Sequence, residues 1–251
     1  MNFLFLSGAP RSGTSALTEL ISSHSEAFIG MERFKHLYKV GKVKKSLFTK
    51  EKFFDISVSE TSVGVRPGKY REYYDLHKSK YENVRLVGDK YPQLYKFWPA
   101  LMKEFGEGGK YIFIYRDIFS VASSFNVRAQ NPKDRWPEEN DYKAAVDIWN
   151  KSLELAVKAI RARENIYVVE YEGFFEPSGG DRYKELKGIV SYLDLTECSL
   201  MNGKYDEMCD KYIKNIKGKE KNVQVGQIDY IKSNARFDLC DELRKYRLNQ
   251  G

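Results

Sequence analysis

A chain of 251 residues with 42% hydrophobic residues is long enough to bury roughly 70–75% of its unfolded surface in one core, and no break in composition divides it, so residues 1–251 read as a single domain. Forty-two Lys and Arg against thirty-five Asp and Glu leave a formal charge of +7, which favours anionic ligands without naming one. No apolar run approaches the ~20 residues of a membrane span, the apolar start at Asn2 to Leu6 is too short for a signal-peptide core, and Cys198, Cys209 and Cys240 form no C-x-x-C pair; the expectation is a cytoplasmic protein with neither a zinc site nor a disulfide framework.

The first element is an apolar strand, Phe3 to Leu6, followed by "SGAPRSGTSALTEL", residues 7 to 20. Gly8, four residues and Gly13 keep the spacing of a triphosphate-binding loop, G-x-x-x-x-G-K-[ST], but Thr14 stands where the lysine belongs. A strand, a Gly/Pro turn and a helix over Ser15 to Ser22 still gather backbone N–H groups at a positive helix end. Gly13 lets the backbone approach a ligand, Thr14 and Ser15 add hydroxyls, and Arg11 supplies a forked cation in place of the lysine. An ordinary strand-to-helix turn with a Ser/Thr cap is the bland alternative.

A weaker strand follows at Ala27 to Ile29. Residues 35 to 84, rich in Lys, Tyr and Phe and without strong period, read as short helices and loops covering a sheet. Their aromatics (Tyr38, Phe48, Phe53, Phe54, Tyr70, Tyr73, Tyr74) either line an acceptor site or form local core. A strand at Arg85 to Val87 and a helix over Pro92 to Phe105 come next, then "YIFIYRDIFSVASSFNVRAQ", residues 111 to 130. There an apolar strand, Tyr111 to Tyr115, ends at Arg116, and a helix over Ile118 to Arg128 carries Ser120, Ser124 and Arg128 at steps of four. With Arg116 they could grip a second phosphate; small-residue packing plus surface arginines is the alternative.

A long helix, Tyr142 to Arg163, has apolar residues at helical spacing (Ala145, Ile148, Trp149, Leu153, Ala156, Ile160), and a strand follows at Ile166 to Val169. Residues 204 to 222 read again as short helices and loops. Their "KYIKNIKGKEK", residues 211 to 221, has five lysines and one glutamate, and like the lysine run at 39 to 52 is either a solvated face or an anion-binding loop. Alternating strand and helix makes an α/β fold, a parallel sheet flanked by helices with its ligand at the carboxyl ends of the strands.

"PRSGTS" followed by "RDIFSVASS" resembles the sulfotransferases that use 3′-phosphoadenosine 5′-phosphosulfate (PAPS), a family with a P-loop NTPase-like architecture. The resemblance implies that Arg11, Ser12, Gly13, Thr14 and Ser15 bind the 5′-phosphosulfate and that Arg116 and Ser124 bind the 3′-phosphate; Arg128 joins that second set through its place on the same helix face. Toward the protein-tyrosine and carbohydrate branch, "HSEAFIGMERF" is similar to a Gly-Glu-Glu-type element whose second acid is the catalytic base. Counting from Arg11 puts Glu32 there, with Met31 in place of the first acid and Phe34 where the tyrosine branch carries an arginine. "GDKYP" resembles an element whose lysine contacts the transferring group, which nominates Lys90, and Tyr171 in "VVEYEGFF" resembles a tyrosine near the nucleotide.

The activity so implied is metal-free sulfuryl transfer from PAPS to a hydroxyl of a carbohydrate, a phenol or another small molecule, leaving adenosine 3′,5′-bisphosphate; nucleic acid is not an expected partner. An acceptor hydroxyl needs a positioned base, and charge building on the sulfuryl and bridging oxygens needs Arg11, Lys90 and the loop N–H groups. His36, four residues past Glu32, is the competing base; His24 reads as a helix-end or turn residue and His77 falls in the covering segment. Two other readings stay open: a small-molecule or nucleoside kinase, which the missing lysine argues against, and a non-catalytic basic nucleotide- or nucleic-acid-binding protein.

Overall fold

A computed structural model of the chain describes residues 1–57, 59–61, 69–176, 182–216 and 223–250. Its centre is one sheet of five strands: β1 (Asn2–Ser7), β2 (Ala27–Met31), β3 (Leu86–Lys90), β4 (Gly109–Tyr115) and β5 (Ile166–Glu170). The order is β2-β3-β1-β4-β5 and every pairing is parallel, so all five carboxyl ends lie along one edge. The chain leaves β1 toward one side of the sheet and later reaches its other side with β4. The switch point therefore sits at the carboxyl end of β1, where open α/β sheets hold their ligands.

Twelve helices are described: α1 (Thr14–Ser22), α2 (Lys35–Lys39), α3 (Lys50–Phe54), α4 (Lys69–Lys78), α5 (Trp98–Phe105), α6 (Ile118–Ala129), α7 (Tyr142–Arg161), α8 (Tyr171–Phe175), α9 (Lys184–Tyr192), α10 (Ser199–Ile216), α11 (Val225–Asn234) and α12 (Phe237–Leu248). The two-residue period of the strands divides the core between them. Phe3, Phe5, Phe28, Tyr111 and Phe113 face one way, under α3 to α7, α11 and α12; Leu4, Leu6, Ile29, Ile112 and Ile114 face the other, under α1 and α8 to α10.

The elements depart from the sequence expectation in three places. The expected helix over Pro92 to Phe105 is a 3-10 turn (Pro92–Lys96) and α5, broken at Phe97, because a proline opens each piece. Residues 204 to 222 hold no string of short helices in their described part: Ser199–Ile216 is one helix, and 217–222 lie outside the described residues. The third strand does not stop at Val87 but runs through two buried ionisable residues, Asp89 and Lys90, which interrupt its apolar pattern.

Most of the aromatic residues of 35 to 84 are core. Tyr38, Phe48, Phe53 and Tyr74 are buried, and Phe54 and Tyr73 pack partly buried against them; the side chain of Tyr70 lies outside the described residues. α4 also covers the open edge of β2. The Tyr73 hydroxyl donates to Ile29 O (2.6 Å), the Met31 N–H donates to the Tyr74 hydroxyl (2.9 Å), and the Ile29 N–H donates to Ser22 Oγ (3.0 Å). An unpaired strand edge is thereby satisfied by side chains instead of a sixth strand.

Candidate active site

The loop after β1 turns sharply on two left-handed residues, Arg11 (φ 72°) and Gly13 (φ 92°). A Cβ at Gly13 would come within 2.2 Å of the Tyr171 ring, so the loop is moulded against the first residue of α8 and only glycine fits. Gly8 N–H donates to Pro92 O (2.9 Å), which ties the loop to the residues after β3. α1 then starts at Thr14 with no side-chain cap, so its first-turn N–H groups point at the loop's hollow without partners inside the helix. Ser12 is fully buried, and its Oγ has no hydrogen-bond partner. A buried, unused hydroxyl beside uncapped N–H groups is a donor set that suits an anion.

Arg11 joins the two segments that the sequence presented as separate phosphate grips. Its Nε donates to Ser124 Oγ on α6 (2.8 Å), and its carbonyl accepts from Arg116 Nη1 (3.3 Å). The Arg116 guanidinium lies 4.3 Å from the centre of the Tyr171 ring and 3.6 Å from Glu172 Oε1, while its own carbonyl is fixed by the Trp149 indole N–H (2.9 Å). The stretch Arg116–Ser124 thus meets Arg11–Ser15 across a few ångströms, with Tyr171 between.

The expected face of Ser120, Ser124 and Arg128 is split three ways. Ser120 Oγ donates to Asp117 Oδ2 (2.8 Å), because Asp117 is the N-cap of α6. Ser124 alone turns to the loop. Arg128 makes a two-pronged pair with Asp134 (2.7 and 2.8 Å) and stacks 4.3 Å over Trp136, so its fork is already matched by a carboxylate. The 128–136 turn that supplies these partners has no periodic signal, so hydrophobic patterning could not announce it.

On the other side of the loop, Glu32 follows β2 in a left-handed conformation (φ 59°) and is half-buried. It precedes α2 and is not on its surface. Its N–H donates to Lys90 O (2.7 Å), and its carbonyl accepts from the Thr61 hydroxyl (2.6 Å). One carboxylate oxygen lies 3.6 Å from Lys90 Nζ and the other 3.1 Å from Lys35 Nζ. Lys90 is almost fully buried, and burial pulls its ammonium below the usual lysine range against the opposing pull of Glu32 and Asp89. His36 sits in α2 with Nδ1 3.3 Å from Ser59 O; His24 is the buried turn residue after α1, with Nε2 2.9 Å from Thr196 O; His77 packs tilted on Phe28 and edge-on to Tyr73, and burial pulls its pKa down to about 4.

Two buried charged residues beside Glu32 escaped the sequence reading. Arg33 donates to the carbonyls of Lys52, Phe53 and Asp55 and pairs with Glu60 (2.6 Å), fastening the end of α3. Asp89 accepts the backbone N–H groups of Arg33 and Phe34, each at 2.9 Å. The polar interruption "GDKYP" after an apolar strand was the available signal for Asp89; for Arg33, between Glu32 and Phe34 in sequence, there was none.

Comparison with known proteins shows the family and the fold. The description of the Sulfotransferase family matches residues 4–197, which include every residue of the site. The chain belongs to the sulfotransferase family. That family uses PAPS. Solved sulfotransferase structures share the fold: the sulfotransferase domain from the Synechococcus PCC 7002 olefin synthase (TM-score 0.53, 16% identity, covering 98% of this chain and 94% of that one), the sulfotransferase domain from the curacin biosynthetic pathway (0.51, 18%, 81% and 77%) and mouse sulfotransferase SULT7A1 complexed with PAP (0.51, 15%, 99% and 89%). A search of curated protein sequences gives no significant match. Among the described residues no helix is long and apolar enough to cross a membrane, and no cluster of His, Cys, Asp and Glu has the makings of a metal site.

Proposed function

We propose that this sulfotransferase moves a sulfuryl group from PAPS to a hydroxyl of an acceptor, with Glu32 as general base. The observation that carries the reading is the convergence of all five strand ends: β1 leads into the Gly8–Gly13 loop, β2 into Glu32, β3 ends on Lys90, β4 leads into Arg116 and β5 into Tyr171. The loop N–H groups with Ser12, Thr14 and Ser15 suit the 5′-phosphosulfate. Arg116 and Ser124, bridged by Arg11 and walled by Tyr171, suit the 3′-phosphate. Arg128 is left out of this set because Asp134 holds its fork.

Bound in this way, PAPS supplies a sulfuryl group on a phosphate leaving group. Glu32 takes the acceptor's proton on a carboxylate oxygen, a contribution of typically 10²–10⁴-fold. Lys90 Nζ, beside that carboxylate, and the Arg11 guanidinium, held at the loop by Ser124, are the cations assigned to stabilise the negative charge that grows during transfer. The acceptor is a hydroxyl compound, a sugar, a phenol or another small molecule. The similarity of "HSEAFIGMERF" and "GDKYP" to the protein-tyrosine and carbohydrate branch supports Glu32 over His36 as base, as does the backbone bond from Glu32 to Lys90.

The test is transfer of label from sulfur-labelled PAPS to a panel of phenols, sugars and glycans, with Glu32→Gln beside the parent. The amide keeps shape and cannot take a proton. Bisphosphate affinity is expected to stay near the parent value while turnover falls by roughly 10²-fold or more. Normal turnover in Glu32→Gln with a dead His36→Ala would move the base to the histidine.

A further inference from the structure

Three consecutive backbone amides in the turn after β2 are held by two consecutive residues at the end of β3. Glu32 N–H donates to Lys90 O (2.7 Å), Arg33 N–H to Asp89 Oδ1 (2.9 Å) and Phe34 N–H to Asp89 Oδ2 (2.9 Å). Resting on the sulfuryl-transfer reading, we propose that Asp89 is a positioning residue for that transfer: its carboxylate clamps the backbone of residues 33 and 34 and thereby fixes Glu32 against Lys90.

The surroundings argue that the carboxylate is there for this purpose. Asp89 is fully buried and touches no open space, so it acts on the reaction only through its neighbours. Its environment is costly for a charge because burial strips the carboxylate of water, and Tyr38 from α2 and Tyr73 and Tyr74 from α4 are the titratable groups that face it from the helices packed against it. Lys90 on its own strand and Arg33 on the turn are the cations that face it. β2 makes room for it: a Cβ on Gly30 would lie 3.0 Å from Asp89 Oδ1. What the carboxylate gains is both acceptors for a turn whose first residue, Glu32, is held in a left-handed conformation that a non-glycine residue leaves when released. The same two residues of β3 therefore set the base and the lysine in one register.

Burial pushes the Asp89 carboxyl up to about 6, against the two backbone N–H groups that favour its charged form. Acid should therefore loosen the clamp. The first measurement follows the 15N–1H amide resonances of Arg33 and Phe34 from about pH 5 to about pH 8 in the parent protein. They are expected to move together with one midpoint near 6. Resonances that stay still, or that titrate unchanged in Asp89→Asn, overturn the clamp.

The second measurement compares kcat in the parent and in Asp89→Asn, whose amide group keeps one acceptor and turns a donor toward an N–H. Turnover is expected to fall at least about 10-fold with bisphosphate affinity within about 2-fold of the parent, since a displaced group costs rate before it costs binding. The acidic limb of the kcat profile near pH 6 should vanish in the variant, which a merely structural role would not produce. Parental kcat in Asp89→Asn overturns the positioning role while leaving sulfuryl transfer intact. A parent that transfers no label to any acceptor refutes the transfer reading, and the positioning role with it. If Asp89→Asn does not fold, the parent decides the matter: an acidic kcat limb coinciding with the amide midpoint supports the role, and non-coincident midpoints overturn it.

Discussion

Arg11 and Glu32 are two of the four non-glycine residues with positive φ among those described, and both stand where a strand hands over to a helix at the candidate site. The other two, Arg163 and Asp194, lie just past the ends of α7 and α9, where left-handed residues commonly terminate helices. Strain at the first pair has no such local excuse, and each is held by several bonds from other elements. Gly13 is the sharpest case. Gly13→Ala would place a methyl within 2.2 Å of the Tyr171 ring at a φ of 92°, so both the backbone and the ring must move. Bisphosphate affinity should fall by at least about 10-fold, read by calorimetry, with the midpoint of thermal unfolding lowered too; an unchanged affinity would show that the loop does not shape the nucleotide site.

Elements explain why parts of the site were legible and others were not. The loop after β1 and the strand-to-helix passage at Arg116 announce themselves because glycine spacing and an apolar run ending in a charge are local patterns, and the structure brings both to one edge of the sheet. The end of β3 was hidden, because a buried Asp-Lys pair looks like a loop to any hydrophobicity pattern. The Arg128–Asp134 pair was hidden because its partner lies in an irregular turn. Capping of the β2 edge by α4 was equally invisible, being a matter of tyrosine hydroxyls reaching across the fold. It has a measurable consequence. Tyr74→Phe removes the acceptor of the Met31 N–H and leaves a buried donor unsatisfied, which costs about 1–3 kcal/mol of stability. Denaturant unfolding checks this, and a loss below a few tenths would mean that water replaces the hydroxyl.

At the scale of the whole molecule, the parallel sheet was readable from the alternation of apolar runs and amphipathic stretches, whereas the strand order was not, since no local signal says on which side of β1 a later strand will pair. The observed order, β2-β3-β1-β4-β5, puts the phosphate-type loop between Glu32 with Lys90, the proposed base side, and Arg116 with Ser124, the proposed 3′-phosphate side. That division is the central claim, and Arg116 is its test. Isothermal calorimetry should find adenosine 3′,5′-bisphosphate bound more tightly than adenosine 5′-monophosphate, by roughly 10- to 100-fold for a charge-assisted contact worth about 1.5–3 kcal/mol, and Arg116→Ala should erase most of that difference while leaving the monophosphate nearly untouched. Equal affinity for the two nucleotides in the parent, or a preference that survives Arg116→Ala undiminished, would contradict it.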